Sequence, residues 1–274
     1  MVAHLHGVQG VAGSNPVSPT FRFPSYSAYT VVKYVQEGRY SVKRSTLSGD
    51  LMDQLKKYDS ATISNAIEDF QVRKRTEGYT SWDIRCQFPE LDPMVGYAVT
   101  CTMDSTTADQ KGENRLHEFM DVLWASENPI VVVIQDVGPK TNSSCFAGDL
   151  ICSVYSALGV VGLVTDGGVR DLKGIKEKAP GLQIFSPGVV VSHGNGIKID
   201  INVPVVVGGM QIDPGDLIHG DGNGLVNVPI SIAKEVVSKA AQVKDTETKL
   251  FDYLDNGSYD LEGLKRHIGR PTNA

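Results

Sequence analysis

AGDLICSVYSALGVVGLVTDGGVRD, residues 147–171, sets a helix, a strand and a polar loop in one run of sequence. The spacing predicts a helix over 148–158, with Gly159 as its C-terminal stop. A β-branched strand follows over 160–165, and the chain then enters a loop holding Asp166, Gly167, Gly168, Arg170 and Asp171. Gly148 is expected to turn the backbone tightly into the helix. The amides of Asp149, Leu150 and Ile151 are then left without intrahelical acceptors. Such a tip binds a small carboxylate through amide hydrogen bonds and the helix dipole. Eleven helical residues span ~15 Å and five strand residues ~16 Å, so the returning strand delivers Arg170 and Asp171 beside Asp149. Two carboxylates and a guanidinium then converge, and a hard divalent cation held by oxygens and water is the natural complement of such a group.

Working outward, Leu51, Leu55 and Tyr58 share a helical face, and a second helix is expected over 61–73 with Ser60 or Thr62 as its cap. Strands are expected over 95–103 and 129–135, with a helix over 115–126 between them. Short strands punctuated by Gly and Pro follow over 183–186, 203–207, 217–219 and 225–228. A helix over 230–243 and another through Phe251 close this part. The order of elements fits a compact α/β sandwich better than a repeated βαβ wheel. Residues 1–46 show no period and read as an irregular arm, 47–257 as the folded domain, and 258–274 as a C-terminal tail. The segment GVAGSNPVSPTF, residues 10–21, resembles a frame read through an upstream transfer-RNA gene. The true start is therefore expected downstream, at Met52 or at a non-Met codon before it.

The 274 residues are 41% hydrophobic and 21% charged, the composition of a soluble globular chain with one large domain or two small ones. Apolar runs such as 130–134 and 203–207 are strand-sized, far short of the ~20 residues of a membrane helix. A net charge of -6 has the wrong sign for neutralising nucleic-acid phosphates. Cys86, Cys101, Cys145 and Cys152 form no C-x-x-C pair and read as reduced thiols of a cytoplasmic protein. The six histidines show no zinc spacing, and no GxGxxG or GxxxxGK[ST] supports a nucleotide cofactor. Lys173 and Lys176, the lysines nearest the motif, read as solvated rather than as Schiff-base formers.

These residues resemble the RraA-like family over about Leu47 to Gly257. That family groups class II 4-hydroxy-4-methyl-2-oxoglutarate aldolases, which also decarboxylate oxaloacetate, with regulators of ribonuclease activity. Aldolase-type members carry an Asp, twenty intervening residues and Arg-Asp; here these are Asp149, residues 150–169 and Arg170-Asp171. Gly96-Tyr97-Ala98-Val99-Thr100, Val164 to Asp171, Gly208-Gly209, Pro214-Gly215-Asp216 and Asp221 are similar as well. The ribonuclease-regulator branch generally lacks the first Asp, so its presence favours an enzyme over a regulator acting by protein binding.

The resemblance implies a single swivelling β/β/α sandwich and a homotrimer or homohexamer with its site at a subunit boundary. It implies that Asp171 ligates Mg²⁺ or Mn²⁺ and that Arg170 contacts the pyruvyl part of a small 2-oxo acid substrate. It implies that Asp149 orients or deprotonates a water, and that Gly148 with the Leu150 and Ile151 amides grips the substrate carboxylate. An acid from a neighbouring subunit's C-terminal helix approaches the metal in this family; Glu247 is the counterpart here, with Asp245 second. Selection of the substrate's distal group is expected from loops 74–92 and 104–114, with Trp82, Arg85 and Gln87 as contributors. If the start lies downstream, the intact mass of protein made from its native promoter will lack the arm; a mass that includes residue 1 overturns this.

Overall fold

The computed structural model describes residues 47–109 and 112–269; the expected arm, 1–46, lies outside the described residues. α1 (Gly49–Leu55) and α2 (Ser60–Glu68) come first. Asp59 caps α2, its carboxylate accepting the Thr62 amide at 2.7 Å, so the cap is one residue earlier than Ser60. Expected to reach residue 73, that helix ends at Glu68.

β1 (Arg85–Cys86) is short, whereas every residue of β2 (Met94–Asp104) is buried, as a strand covered on both faces must be. α3 (Leu116–Ala125) leads to β3 (Ile130–Asp136), followed by β4 (Cys145–Ala147), α4 (Asp149–Ala157), β5 (Val160–Thr165) and β6 (Gly168–Val169). Then come α5 (Leu172–Lys178), β7 (Gln183–Ser186), β8 (Ile197–Ile201), β9 (Val205–Val207), β10 (Met210–Ile212), β11 (Leu217–Asp221) and β12 (Gly224–Val228).

α6 (Ala233–Asp255) is one continuous helix where the sequence suggested two. The tail expected at 258–274 carries α7 (Leu261–Ile268), held on α6 by the Tyr253 ring stacked on His267 at 4.3 Å and by the Asp260 amide donating to the Tyr253 hydroxyl.

Among the described residues the main sheet has eight strands, ordered β1-β7-β5-β3-β2-β11-β12, with β8 paired to β2. β2, β3, β5 and β7 are mutually parallel; β11, β8 and β1 pair antiparallel at the flanks. Alternation along the strands separates two faces. Val99 and Cys101 of β2, Val132 and Ile134 of β3, and Leu163 of β5 meet Phe119, Leu123, Cys152, Tyr155 and Ile175 from α3, α4 and α5. On the same face Val95, Tyr97 and Leu217 meet α1, α2 and α6. Ala98, Val131, Val133 and Val164 point the other way, onto Val205, Val207, Met210 and Ile212 of the β9–β10 hairpin. Gly208 and Gly209 both have positive φ, as the two-residue turn of that hairpin requires. The result is helices on sheet on hairpin: the α/β sandwich that the order of elements suggests, of the β/β/α kind that the family resemblance implies.

This frame places the candidate site through strand ends. β3 and β5 are parallel neighbours, so the segments leaving their C-terminal ends emerge side by side, where open α/β sheets bind ligands. Those segments pair again as the parallel strands β4 and β6. Gly168 donates its amide to the Ser144 carbonyl at 3.0 Å, and Arg170 donates its amide to the Ala147 carbonyl at 2.9 Å. A Cβ on Gly168 would lie 2.7 Å from the Ser144 carbonyl oxygen and 2.9 Å from Val190 Cγ2. Gly168→Ala should therefore force β6 away from β4 and cost ~1–3 kcal/mol, as overpacking usually does, read as a lower urea midpoint. An unchanged midpoint would mean that the pairing is slack.

Candidate active site

β4 runs straight into α4, and β6 runs straight into Arg170 and Asp171 at the head of α5. Their pairing sets the two helix tips side by side. The first backbone bond of α4 is the Cys152 amide to the Gly148 carbonyl, and no side chain caps the tip. The amides of Asp149, Leu150 and Ile151 are therefore free of intrahelical partners. Leu150 is 75% exposed, so the tip is open to solvent.

Gly148 itself has φ -141 and ψ -174, extended values that any residue adopts, so the tight turn expected of it is not why glycine is needed. Space is the reason: a Cβ there would sit 2.8 Å from Asp171 Oδ2 and 3.1 Å from Arg170 Nε. Arg170 Nε lies 3.2 Å from Asp171 Oδ2. Asp149 leans across to α5, where a Cβ on Gly174 would meet its Oδ2 at 2.6 Å. Asp171 is left-handed, φ 57 and ψ 37, and its carboxylate does not cap its own helix. A non-glycine residue in that region is uncommon, and such strain gathers at functional sites.

A pocket of ≈ 410 Å³ opens at this tip. Gly148, Asp149, Leu150, Ile151 and Arg170 line one side; Asn114, His193 and Gly196 contribute, as do Tyr155 and Lys198. Asp171 touches Gly148 and Arg170 but does not line this pocket. Of the distal-group contributors expected from the sequence, Trp82 is 78% exposed with Arg85 over its ring, and Gln87 bonds the Ser186 and Arg85 carbonyls. None of the three lines the pocket; from loop 104–114, Asn114 does.

Glu247 bonds Lys244 at 3.1 Å on α6, Asp245 bonds Lys249, and neither lines the pocket within one chain. Lys173 and Lys176 pair with Glu177 and Glu90, as solvated lysines do. His219 is buried between the Ser60 hydroxyl and the Tyr58 carbonyl, and burial pulls its pKa down, so it is a neutral structural group. All four cysteines are free thiols; burial pushes the pocket-lining Cys145 up and Cys152 to about 12, which leaves neither a thiolate.

The donor chemistry decides what ion fits. Among the described residues no group of three or more His, Cys, Asp or Glu is gathered to hold a metal. Asp171 offers a carboxylate 42% exposed beside the tip, and a hard cation of the Mg²⁺ type is held by one or two carboxylates with water and substrate oxygens completing its shell. A soft or tetrahedral site is not supported; a hydrated hard ion fits.

A family model for RraA-like proteins, described as Aldolase/RraA, matches residues 48–227. The chain belongs to the RraA-like family. A Halalkalibacterium halodurans protein named "Putative 4-hydroxy-4-methyl-2-oxoglutarate aldolase" is 37% identical over 169 residues, covering 61% of this chain and 75% of that one. An Ectopseudomonas mendocina protein of the same name is 30% identical over 86 residues, covering 31% of this chain and about half, 52%, of that one. Among solved structures, RraAS2 of Streptomyces coelicolor, described as an unusual member of the RNase ES inhibitor RraA protein family, aligns with TM-score 0.58 at 24% identity. That alignment covers 75% of this chain and 98% of that one. An uncharacterized protein of Pseudomonas syringae pv. tomato aligns with TM-score 0.63 at 24% identity over 84% of this chain and 97% of its own. The RraA-like fold is what these two likenesses share. No helix among the described residues is long and apolar enough to cross a membrane.

Beneath the site, Asp166 links the ends of β3 and β5: its Oδ1 accepts the Asp136 amide at 2.6 Å, and Asp136 Oδ1 accepts the Gly138 amide. Burial, with the nearby Asp136 carboxylate, pushes Asp166 up to about 6 from 3.8. A raised carboxyl pKa favours the folded state where the group is protonated, so this contribution is present below about pH 4 and lost as pH rises through about 6. Asp166→Asn should flatten the wild-type decline over that window, which we put on the order of 1 kcal/mol, in urea midpoints taken at several pH values. Parallel curves for the two proteins would refute the assignment.

Proposed function

We propose that residues 47–257 form a divalent-metal-dependent lyase of the class II aldolase type. It would cleave 4-hydroxy-2-oxo acids such as 4-hydroxy-4-methyl-2-oxoglutarate to pyruvate and decarboxylate oxaloacetate. The observation that carries this reading is the seating of the open α4 tip against Arg170 and Asp171 by the β4–β6 pairing. The name of the relative from H. halodurans supports it.

In this reading Asp171 holds Mg²⁺ or Mn²⁺, with Glu247 of a neighbouring copy in a homotrimer or homohexamer as a second acid. When bound, the ion supplies a Lewis acid that draws electron density from the 2-oxo acid. The Leu150 and Ile151 amides bind the substrate carboxylate, favoured by the helix dipole. The Arg170 guanidinium carries more donors than its Nε contact to Asp171 uses, and these face the keto oxygen as it gains charge. Asp149 takes the 4-hydroxyl proton through a water; as the C3–C4 bond breaks, its electrons pass into pyruvate enolate, and a proton returned to C3 completes pyruvate. Oxaloacetate loses CO₂ to the same enolate, with no hydroxyl proton to remove, so Asp149 matters less for that reaction.

Asp171→Ala should lower metal-dependent kcat/KM for pyruvate release by ~10³-fold or more, and chelator should abolish wild-type turnover. Asp149→Asn should depress aldol cleavage more than oxaloacetate decarboxylation. Full turnover by Asp171→Ala would refute the reading. The regulator alternative would gain if no 2-oxo acid yields pyruvate and the chain binds a ribonuclease without metal.

A further inference from the structure

Lys198 is a lysine in the wrong place for a solvated side chain. It lies on β8, is 2% exposed, and nevertheless lines the pocket that opens at the α4 tip. Its ammonium has no carboxylate within ion-pair distance among the described residues. Its neighbours are Met103 Sδ at 3.0 Å, Cys101 Sγ at 3.7 Å, the Phe119 ring at 4.4 Å and the Tyr155 ring at 5.9 Å. Sulfurs are weak acceptors, and a ring face returns only part of what an ammonium loses on leaving water.

Tyr155, on α4, lines the same pocket. Its hydroxyl is fully buried beside the Lys198 ammonium, from which its oxygen can accept, and its own O–H finds no acceptor among the described residues. Burial pushes both the Tyr155 phenol and the Cys101 thiol up, so neither provides a counter-ion at neutral pH. Two buried donors that lack strong acceptors thus face one cavity, and buried polar groups of this kind call for an explanation.

We propose that Lys198 and Tyr155 form a carboxylate subsite that selects dicarboxylic 2-oxo acids by their distal carboxylate, resting on the function proposed above for the α4 tip and Arg170. With the 2-oxo acid head at the tip, the chain of the substrate extends along the pocket, and its far carboxylate accepts from the Lys198 ammonium and the Tyr155 hydroxyl. An anion gives both groups the acceptor the protein does not provide, and charge-assisted bonds in a dry pocket discriminate strongly. A monocarboxylic analogue leaves them unpaired, and a site built on such groups rejects ligands that lack the matching atom. Arg170 does not serve this purpose, because Asp171 already accompanies it.

The test compares 2-oxoglutarate with 2-oxopentanoate, which differ in the distal carboxylate and carry no 4-hydroxyl to cleave. Binding to the full chain in the presence of Mg²⁺ is measured by calorimetry for wild type, Lys198→Met and Tyr155→Phe. Wild type should prefer 2-oxoglutarate by about tenfold or more; Lys198→Met should bring the ratio near one, and Tyr155→Phe should reduce it severalfold. No preference in wild type, or an undiminished preference in Lys198→Met, overturns the proposal. If Lys198→Met does not fold, Tyr155→Phe, which removes one oxygen, decides by the same ratio. Borohydride trapping of pyruvate on Lys198 also overturns it, since the lysine would then act as a neutral amine nucleophile. Should wild type release no pyruvate from any 4-hydroxy-2-oxo acid while the Lys198-dependent preference persists, the lyase reading falls and the subsite stands. The opposite pattern removes the subsite and leaves the lyase.

Discussion

Two backbone hydrogen bonds, Gly168 to Ser144 and Arg170 to Ala147, hold the candidate site together. Each is worth only ~0.5–1.5 kcal/mol net, too little to fold two loops against each other unaided. They form because β3 and β5 deliver their chains in parallel to one edge, and because Asp166 ties those strand ends through the Asp136 amide. The close approach then imposes a composition. Gly148, Gly168 and Gly174 each lie where a Cβ would press on Asp171, Ser144 or Asp149. Three glycines thus permit one pairing, and the pairing sets the Asp149, Arg170 and Asp171 geometry.

The electrostatics of the pocket run against those of the whole chain. A net charge of -6 repels an incoming anion, yet that field is largely screened beyond a Debye length of ~8–10 Å. Inside that distance the local donors prevail: three free amides at the α4 tip, the Arg170 guanidinium and the Lys198 ammonium. In the proposed function, selection would be made at contact rather than by long-range steering, which suits a small carboxylate more than an extended polyanion. Asp149, which also lines the pocket, sets an acceptor beside these donors.

The centre of this arrangement was legible in the sequence because it is local. Gly148, Asp149 and Gly159 mark a helix, 160–165 marks a strand, and the lengths of the two return the chain to its starting edge. β4 and β6 leave no such mark: two or three residues carry no periodicity, and only pairing between distant segments makes them strands. The cap of α2 fell on Asp59 because its carboxylate reaches the Thr62 amide, a choice between adjacent polar residues that spacing does not make. Trp82 and Arg85 were attractive by type, yet they stack on each other away from the pocket. Lys198 carries no signal of its own: residues 197–201 are not among the expected strands, and it is the pairing of β8 with β2, Lys198 opposite Met103, that buries the ammonium.

Asp171 shows local stability yielding to arrangement. An aspartate heading a helix ordinarily accepts an amide of its first turn, a cap worth ~1 kcal/mol. Here the backbone is left-handed, a conformation costing on the order of 1–3 kcal/mol, and the carboxylate is directed to Arg170 and Gly148 instead. Nothing in α5 requires this, since an extended backbone at the same residue, as at Asp59 and Asp260, would cap the helix and relieve the strain. What requires it is β6, which arrives parallel to β4 and must turn sharply after Arg170 to avoid the α4 tip. The strain is thus the consequence of seating two helix tips against each other, and it leaves an acid free of helix duty beside three free amides. A carboxylate held that way is already desolvated on its Arg170 side and exposed on the other, so it can meet a hydrated cation without first breaking a bond to its own helix.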